Sequence, residues 1–186
     1  MSGIIMPGIK IYQTNGESML YKVTGKQNNS RMCFVCGMQN PFGLKSFFYE
    51  TQSGELVAIF SPSQNHQGYP GRLHGGIAAA ILDETIGRTI TIGKEAEVWG
   101  VTLEFKIKYK KPIPLEQEIR VRARLTSENR KIFEAEGEII NPDGEIAATG
   151  AGKYMILPIE KIGEFDRELN MWSVINSNTD PEAIDI

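Results

Sequence analysis

The hydrophobic and polar positions divide the chain into several strands and one helix. Apolar residues recur about every 3.6 positions over residues 75–92, which predicts a single long helix. Apolar and polar residues alternate from Val101 to Tyr109, which predicts a long strand with one solvent-facing side, the side that carries Thr102, Lys106 and Lys108. Further strands are predicted over residues 19–24, 44–50, 55–61, 118–125, 132–140 and 146–157.

Turn-forming residues separate these segments. A Thr-Gln-Ser-Gly linker suits a hairpin between the strands at 44–50 and 55–61, and Asn141–Gly144 suits a tight turn between the last two strands. Residues 62–73 contain two prolines and two glycines and predict an irregular loop that leads into the helix. The long strands after the helix are therefore expected to form an antiparallel meander.

The order of elements predicts an α+β fold, in which an antiparallel sheet wraps one long helix. We divide the chain into an N-terminal extension (1–31), a central domain (32–157) and a C-terminal segment (158–186). In the last segment a short amphipathic helix is predicted from the helical spacing of Ile159, Ile162, Phe165 and Leu169. The polar residues 176–186 are expected to form a loose tail.

The predicted helix has two different faces. One is broadly apolar and suits packing on the sheet: Ile77, Ala78, Ile81, Leu82, Ile86 and Ile92. The other is a strip of small residues with one acid set into it: Gly76, Ala79, Ala80, Asp83 and Gly87. Such a strip allows a close approach, so we interpret it as a helix–helix contact surface. The alternative is a helix that packs beneath a loop.

Composition narrows the possible partners. The formal charge is −3 with acids and bases mixed along the chain, so a nucleic-acid partner is not expected. No stretch approaches the roughly 20 apolar residues of a membrane span, and the first ten residues lack the pattern of a signal peptide. We therefore expect a cytoplasmic protein without a membrane partner.

Cys33 and Cys36 are the only cysteines and cannot form a disulfide framework. Their spacing would suit half of a zinc site, but the chain has no second pair and only two isolated histidines. No thioredoxin-like pattern surrounds them, which leaves a redox role without support. We expect a buried pair of small apolar side chains and no metal.

Gly75, Gly76 and Asp83 form the candidate reaction centre. Bare amides at a helix start can hold a developing oxyanion, and a lone acid inside an apolar helix is hard to explain by packing alone. Asp83 lies about 11 Å along the helix from the two glycines, so one substrate atom cannot meet both within one chain. A second copy running antiparallel would complete two equivalent sites per dimer. The alternative is a structural Asp83 that is bonded to backbone or to an arginine.

Other polar residues near the helix are weaker candidates for a catalytic role. His74 suits a structural position before the glycines, with proton transfer as the alternative. His66 is a weaker candidate for proton transfer than His74. Glu84 is expected to form a surface ion pair with Arg88. No serine or cysteine occupies a G-x-S-x-G elbow, so a catalytic triad is not supported.

The segment His74-Gly75-Gly76 through Asp83, together with Gly100-Val-Thr-Leu103 and the KYKKPIP that follows, resembles the PaaI-type acyl-CoA thioesterases of the hotdog-fold superfamily. The earlier CFVCGMQNPFGL is similar to a segment in some bacterial members. The resemblance implies the hotdog fold, hydrolysis of an acyl-CoA to free acid and CoA, and a homodimer or dimer of dimers. It implies no cofactor beyond the CoA of the substrate.

The resemblance also implies roles for single residues. Thr102 would orient Asp83 or a water, the alternative being an ordinary outward strand threonine. In some relatives an asparagine supports the substrate carbonyl, and it stands six residues before the histidine that corresponds to His74. Gly68 stands there in this chain beside Gln67, so Gln67 or the backbone would take that role.

The phosphates of CoA call for basic residues near the site. Lys106 and Lys108, with Lys110 and Lys111 after them, are candidates, as is Arg72 close to the helix start. Solvated strand lysines are the alternative. The sequence leaves Asp83 open as general base or nucleophile. It also leaves open a non-catalytic acyl-CoA sensor. A further alternative is an acyl-thioester hydratase or dehydratase, although the absence of a helix histidine after His74 argues against it.

Overall fold

The computed structural model describes residues 20–94 and 98–186. The N-terminal segment that was examined for a signal peptide lies outside the described residues. One α-helix, α1 (Gly75–Gly87), is present in the described part, and a 3-10 turn at Arg88–Thr91 continues it. The strands are β1 (Leu20–Lys26), β2 (Phe47–Thr51), β3 (Leu56–Phe60), β4 (Trp99–Tyr109), β5 (Ile119–Glu128), β6 (Ile132–Ile140), β7 (Ile146–Leu157) and β8 (Ala183–Asp185).

All eight strands pair antiparallel in one sheet, in the order β4-β7-β6-β5-β3-β2-β1-β8. The helix packs on strands from both halves of this sheet. The β6–β7 turn contains Gly144 at φ 82°, a left-handed conformation that favours glycine. The predicted antiparallel sheet around one helix is therefore confirmed, and β4 is an edge strand of the described sheet.

The core lies between α1 and the concave side of the sheet. Ile81, Leu82 and Ile86 of the helix are fully buried against sheet residues such as Phe133. The helix comes so close to β7 that a Cβ on Gly150 would lie 2.7 Å from Leu82 Cδ2. This contact fixes the helix, and with it Asp83, against the sheet.

A β-bulge interrupts β4 between Thr102 and Glu104. Phe105 and Ile107 pack on the core, and the bulge places Thr102 on their side of the strand, facing α1. Strict alternation had predicted Thr102 on the solvent-facing side with Lys106 and Lys108. That prediction was wrong because the extra residue of a bulge reverses the alternation.

The C-terminal segment differs from its prediction in two ways. The predicted amphipathic helix is not formed: a 3-10 turn covers only Ile159–Lys161, and Phe165 packs on Trp99 and Trp172 instead. The tail that was expected to be loose contains β8, which pairs with β1. Burial of Ile184 in a small apolar cluster accounts for this strand. Within the described ranges, no helix is long and apolar enough to cross a bilayer.

Candidate active site

Asp83 lies in the third turn of α1 and is half-buried against two strands of the sheet. Thr102 Oγ1 on β4 is 3.2 and 3.3 Å from its two carboxylate oxygens. The hydroxyl of Tyr154 on β7 donates to Oδ1 at 2.9 Å. The structure thus brings Thr102 to Asp83, as the family resemblance implied, and adds Tyr154.

The electrostatics leave this carboxyl group more basic than an ordinary aspartate. Burial raises the pKa of Asp83, and the hydrogen bonds from Tyr154 and Thr102 oppose the increase without cancelling it. Burial and the charge of Asp83 also raise the pKa of Tyr154, so its hydroxyl stays a donor. A carboxylate with a raised pKa that is held by neutral donors can accept a proton or attack a carbonyl.

Tyr154 was missed in the sequence, where it is one inward position of a strand. Its ring stacks on Phe133 with 4.9 Å between centroids, and a Cβ on Gly87 would lie 3.2 Å from the ring. The small residues of α1 around Asp83 and Gly87 therefore make room for Tyr154 of the chain's own sheet. At this end the predicted helix–helix contact surface was wrong, because Tyr154 fills the space that glycine leaves.

The start of α1 has one satisfied and one unsatisfied amide. His74 is the N-cap, and its Nδ1 accepts the N–H of Gly76 at 3.0 Å. Its carbonyl accepts the N–H groups of Ile77 and Ala78. Within the described residues no acceptor lies on the Gly75 N–H. Gly75 is therefore the better candidate for an oxyanion donor, and His74 has the structural position that was considered for it.

The loop before the helix shapes this end of α1. Gln67 Oε1 accepts the N–H of Gly71 at 2.7 Å, and a Cβ on Gly68 would lie 3.0 Å from His74 Cα. The Tyr109 hydroxyl donates to the Gly75 carbonyl at 2.6 Å. Gln67 and Gly68 thus lie near the helix start, where they order the loop around His74.

The predicted basic residues lie apart from Asp83. Lys106 and Lys108 are exposed on the outer side of β4. Arg72 is also exposed and borders a shallow groove with Lys111, near the helix start. None of Arg72, Lys106 and Lys108 is in the described lining of the cavity at Asp83.

A cavity of about 600 Å³ opens beside Asp83, Thr102 and Tyr154. Its apolar wall includes Trp99 and Trp172, with 4.8 Å between ring centroids, and Phe165. The volume suits a small-molecule ligand. The aromatic wall was not predicted, because Phe165 and Trp172 reach the cavity from a segment without regular structure.

Cys33, Cys36, Glu84 and Arg88 line another part of this cavity. The predicted Glu84–Arg88 ion pair is confirmed at 2.9 Å, but it is not a surface pair, since both side chains are largely covered at the cavity wall. The Arg88 guanidinium lies 4.2 Å from the centre of the Phe48 ring. The hydrogen bond between the two cysteines lowers the pKa of Cys36 to about 7 and, with burial, raises that of Cys33.

His66 has no free ring nitrogen. Its Nδ1 accepts the Ser63 N–H at 2.9 Å, and its Nε2 lies 2.9 Å from the Phe42 carbonyl oxygen, to which it donates. The ring is buried, so His66 is a structural residue of the loop before α1.

Comparison with known proteins agrees with this geometry. The family model described as Thioesterase superfamily matches residues 70–148. The chain is 30% identical over 124 residues to acyl-coenzyme A thioesterase THEM4 of Rattus norvegicus, a match covering 66% of this chain and 52% of that protein. The chain therefore spans about half the length of this curated relative.

Solved structures have the same fold. A crystal structure described as a thioesterase superfamily protein superposes with a TM-score of 0.60 at 25% identity, over 67% of this chain and 63% of that chain. The Escherichia coli PaaI protein superposes with a TM-score of 0.56 at 15% identity, over 62% of this chain and 81% of that chain, a likeness of fold. The chain has the hotdog fold that the family resemblance implied, and its residues 70–148 are similar to the thioesterase superfamily.

Proposed function

We propose that this protein hydrolyses an acyl-CoA thioester to the free acid and CoA. The observation that carries the proposal is Asp83, a half-buried carboxylate held by two hydroxyl donors at the wall of a cavity of about 600 Å³. The matched relative is described as an acyl-coenzyme A thioesterase, which gives the substrate class.

Asp83 would act in one of two ways. As a general base, it takes a proton from a water whose oxygen attacks the thioester carbonyl. As a nucleophile, its carboxylate attacks the same carbon and forms an anhydride that water then hydrolyses. In both cases the C–S bond breaks and CoA leaves as a thiolate that is then protonated. We assign Oδ2 as the reacting atom in both schemes, because Oδ1 accepts the shorter bond from Tyr154 at 2.9 Å, while Oδ2 has, among the described residues, only the longer contact with Thr102 at 3.3 Å.

We propose that the carbonyl oxygen is held by the Gly75 N–H of a second copy of the chain. Gly75 and Asp83 are about 12 Å apart along α1, which is too far for one carbonyl to meet both within one chain. The free edge of β4, with Leu103 49% and Tyr109 54% exposed, offers a surface for a homodimer, and dimers can pair further into a tetramer.

The basic residues outside the cavity complete the proposal. Arg72 near the helix start and Lys106 and Lys108 on β4 would bind the phosphates of CoA, while the acyl group enters the cavity. Beyond the substrate's CoA the reaction needs no cofactor. We propose a cytoplasmic location, where the two cysteines of the chain would stay reduced.

The test is thiol release from a panel of acyl-CoAs by the wild type, Asp83→Asn and, as a matched control, Asp143→Asn in the β6–β7 turn. We expect Asp83→Asn to lose about a hundredfold to ten-thousandfold in kcat, and the control to lose nothing. Undiminished release by Asp83→Asn would exclude Asp83. Binding of acyl-CoA without release by the wild type would show a sensor instead of an enzyme.

A further inference from the structure

A second cluster of reactive side chains lies on the cavity wall. The Sγ atoms of Cys33 and Cys36 and a carboxylate oxygen of Glu84 all lie within 4.8 Å of one another. We propose that this cluster binds a soft divalent cation, Zn²⁺ foremost, with a water as fourth ligand. The proposal concerns a site separate from Asp83 and does not depend on the proposed reaction.

The turn that carries the two thiols has the form of a ligand loop. Cys33 Sγ accepts the N–H groups of Val35 at 3.3 Å and of Cys36 at 3.5 Å, and these bonds hold the sulfur in place. The Gly37 N–H donates to the Cys33 carbonyl at 2.9 Å, and a Cβ on Gly37 would lie 2.2 Å from that oxygen. The backbone therefore orders the turn that carries both cysteines and fixes the position of Cys33 Sγ.

A buried side chain holds this turn in place. Asn29 is fully buried and donates through Nδ2 to the carbonyls of Cys36 and Ser46, at 2.9 Å each. The Ser30 hydroxyl lies 3.4 Å from Cys36 Sγ and accepts the Cys33 N–H at 3.2 Å. A cluster that is already ordered loses little entropy when it binds an ion.

The donor atoms are close to the spacing that zinc requires. With Zn–S of about 2.3 Å and Zn–O of about 2.0 Å, a tetrahedral site separates its ligands by roughly 3.5–3.8 Å. The observed limit of 4.8 Å can close to that spacing by side-chain rotation. Both cysteines and Glu84 line the cavity, so the fourth position is open to water.

Charge balance explains why an arginine stands beside two thiols. Arg88 Nη2 lies 3.2 Å from Cys36 Sγ and 2.9 Å from Glu84 Oε1. Without metal and with both thiols protonated, the cluster sums to zero charge, because Arg88 balances Glu84. Binding of Zn²⁺ with loss of both thiol protons also leaves a sum of zero, because the guanidinium offsets the third anionic ligand. Arg88 would thus be an outer partner of the ligands.

This inference reverses the expectation of an apolar cysteine pair. The sequence offers two of the four ligands of a structural zinc site, and the fold adds a third from α1. A set of three protein ligands and a water is the arrangement of an open zinc site. Two thiolates favour zinc over calcium or magnesium, which prefer oxygen ligands.

The experiment measures metal directly on the full chain. The protein is reduced, stripped with a chelator, reloaded with ZnCl₂ or CoCl₂ and freed of unbound metal. Elemental analysis then gives zinc per chain, and the near-ultraviolet spectrum of the cobalt form reports thiolate ligands. We expect stoichiometric zinc, a thiolate-to-cobalt charge-transfer band, and protection of both thiols from a thiol reagent.

Variants assign the ligands. Cys33→Ser and Glu84→Gln are each expected to weaken zinc binding by at least about 100-fold. Loss of a residue that only supports a ligand can already weaken metal binding by up to about 100-fold, and loss of a ligand itself should cost at least as much. Glu50→Gln is the matched control, because Glu50 lines the same cavity outside the cluster. Substoichiometric zinc after reloading, or a cobalt spectrum without the band, would each overturn the proposal. Glu84→Gln keeps it testable if Cys33→Ser fails to fold.

Discussion

Removing one oxygen atom from the cavity wall tests the reasoning about Asp83. Tyr154→Phe keeps the ring that stacks on Phe133 and deletes only the hydroxyl that donates to Asp83 Oδ1 at 2.9 Å. A hydrogen bond to a charged group contributes about 1.5–3 kcal/mol. If this bond holds the carboxylate in its reactive orientation, kcat should fall by roughly tenfold to a hundredfold. KM should change little, because Tyr154 acts through Asp83.

The assay is thiol release under saturating acyl-CoA, with Asp83→Asn as the lower limit. Tyr49→Phe is the matched control, since the Tyr49 hydroxyl also donates to an aspartate, Asp180 Oδ1, at 2.9 Å, outside the cavity lining. We expect the control to retain kcat. Full kcat in Tyr154→Phe beside an inactive Asp83→Asn would refute the positioning role.

A double-mutant cycle sharpens the same test. Thr102→Val removes the other hydroxyl donor to Asp83. Because both donors hold one carboxylate, the losses in kcat of Thr102→Val and Tyr154→Phe should not add. Strictly additive losses would mean that the two hydroxyls act independently of each other.

Three further predictions concern the helix start, the dimer and the fold. A Cβ on Gly75 would lie 3.5 Å from the Tyr109 hydroxyl, an ordinary contact, so Gly75→Ala should fold normally. It should lose about a hundredfold in kcat/KM, because the methyl group displaces the substrate carbonyl. Unchanged kinetics would exclude the Gly75 amide as the oxyanion donor. When Gly75→Ala and Asp83→Asn are unfolded and refolded together, about a quarter of wild-type activity should return. Half of the dimers then contain one chain of each variant, and each of these mixed dimers has one intact site of its two. No recovery of activity would contradict a site shared between subunits. Burial opposes but does not prevent the lowering of the Asp180 pKa by the Lys26 ammonium, the Ser177 N–H and the Tyr49 hydroxyl. Asp180 therefore stabilises the fold above its unfolded pKa of about 3.9, and this stabilisation is lost as pH falls through the lower folded pKa; the urea midpoints of wild type and Asp180→Asn should converge in acid.

The helix and its acid could be predicted because their signals are local. The 3.6-residue period marks α1, and Asp83 stands out as a lone acid within it. The face of Thr102 could not be predicted from alternation, since a bulge adds a residue to β4 without an unusual residue to mark it. The partner of Thr102 came instead from the family resemblance.

The other residues around the cavity depend on distant contacts. Tyr154 follows Asp83 by 71 positions, and only the packing of α1 on β7 brings its hydroxyl to the carboxylate. Trp172 belongs to no helical or alternating pattern, so its place in the aromatic wall has no sequence signal. Glu84 was correctly paired with Arg88, but its approach to Cys33 required the fold.

Two consecutive carboxylates, Asp83 and Glu84, line one cavity and have different chemistry because the helix turns by about 100° per residue. Glu84 faces the Arg88 guanidinium, so its charge is already compensated. Among the described residues, the hydrogen-bond donors to the Asp83 carboxylate are the neutral hydroxyls of Thr102 and Tyr154, so burial leaves the carboxylate basic and its charge uncompensated. The rotation of one helix thus separates a carboxylate suited to reaction from one suited to binding.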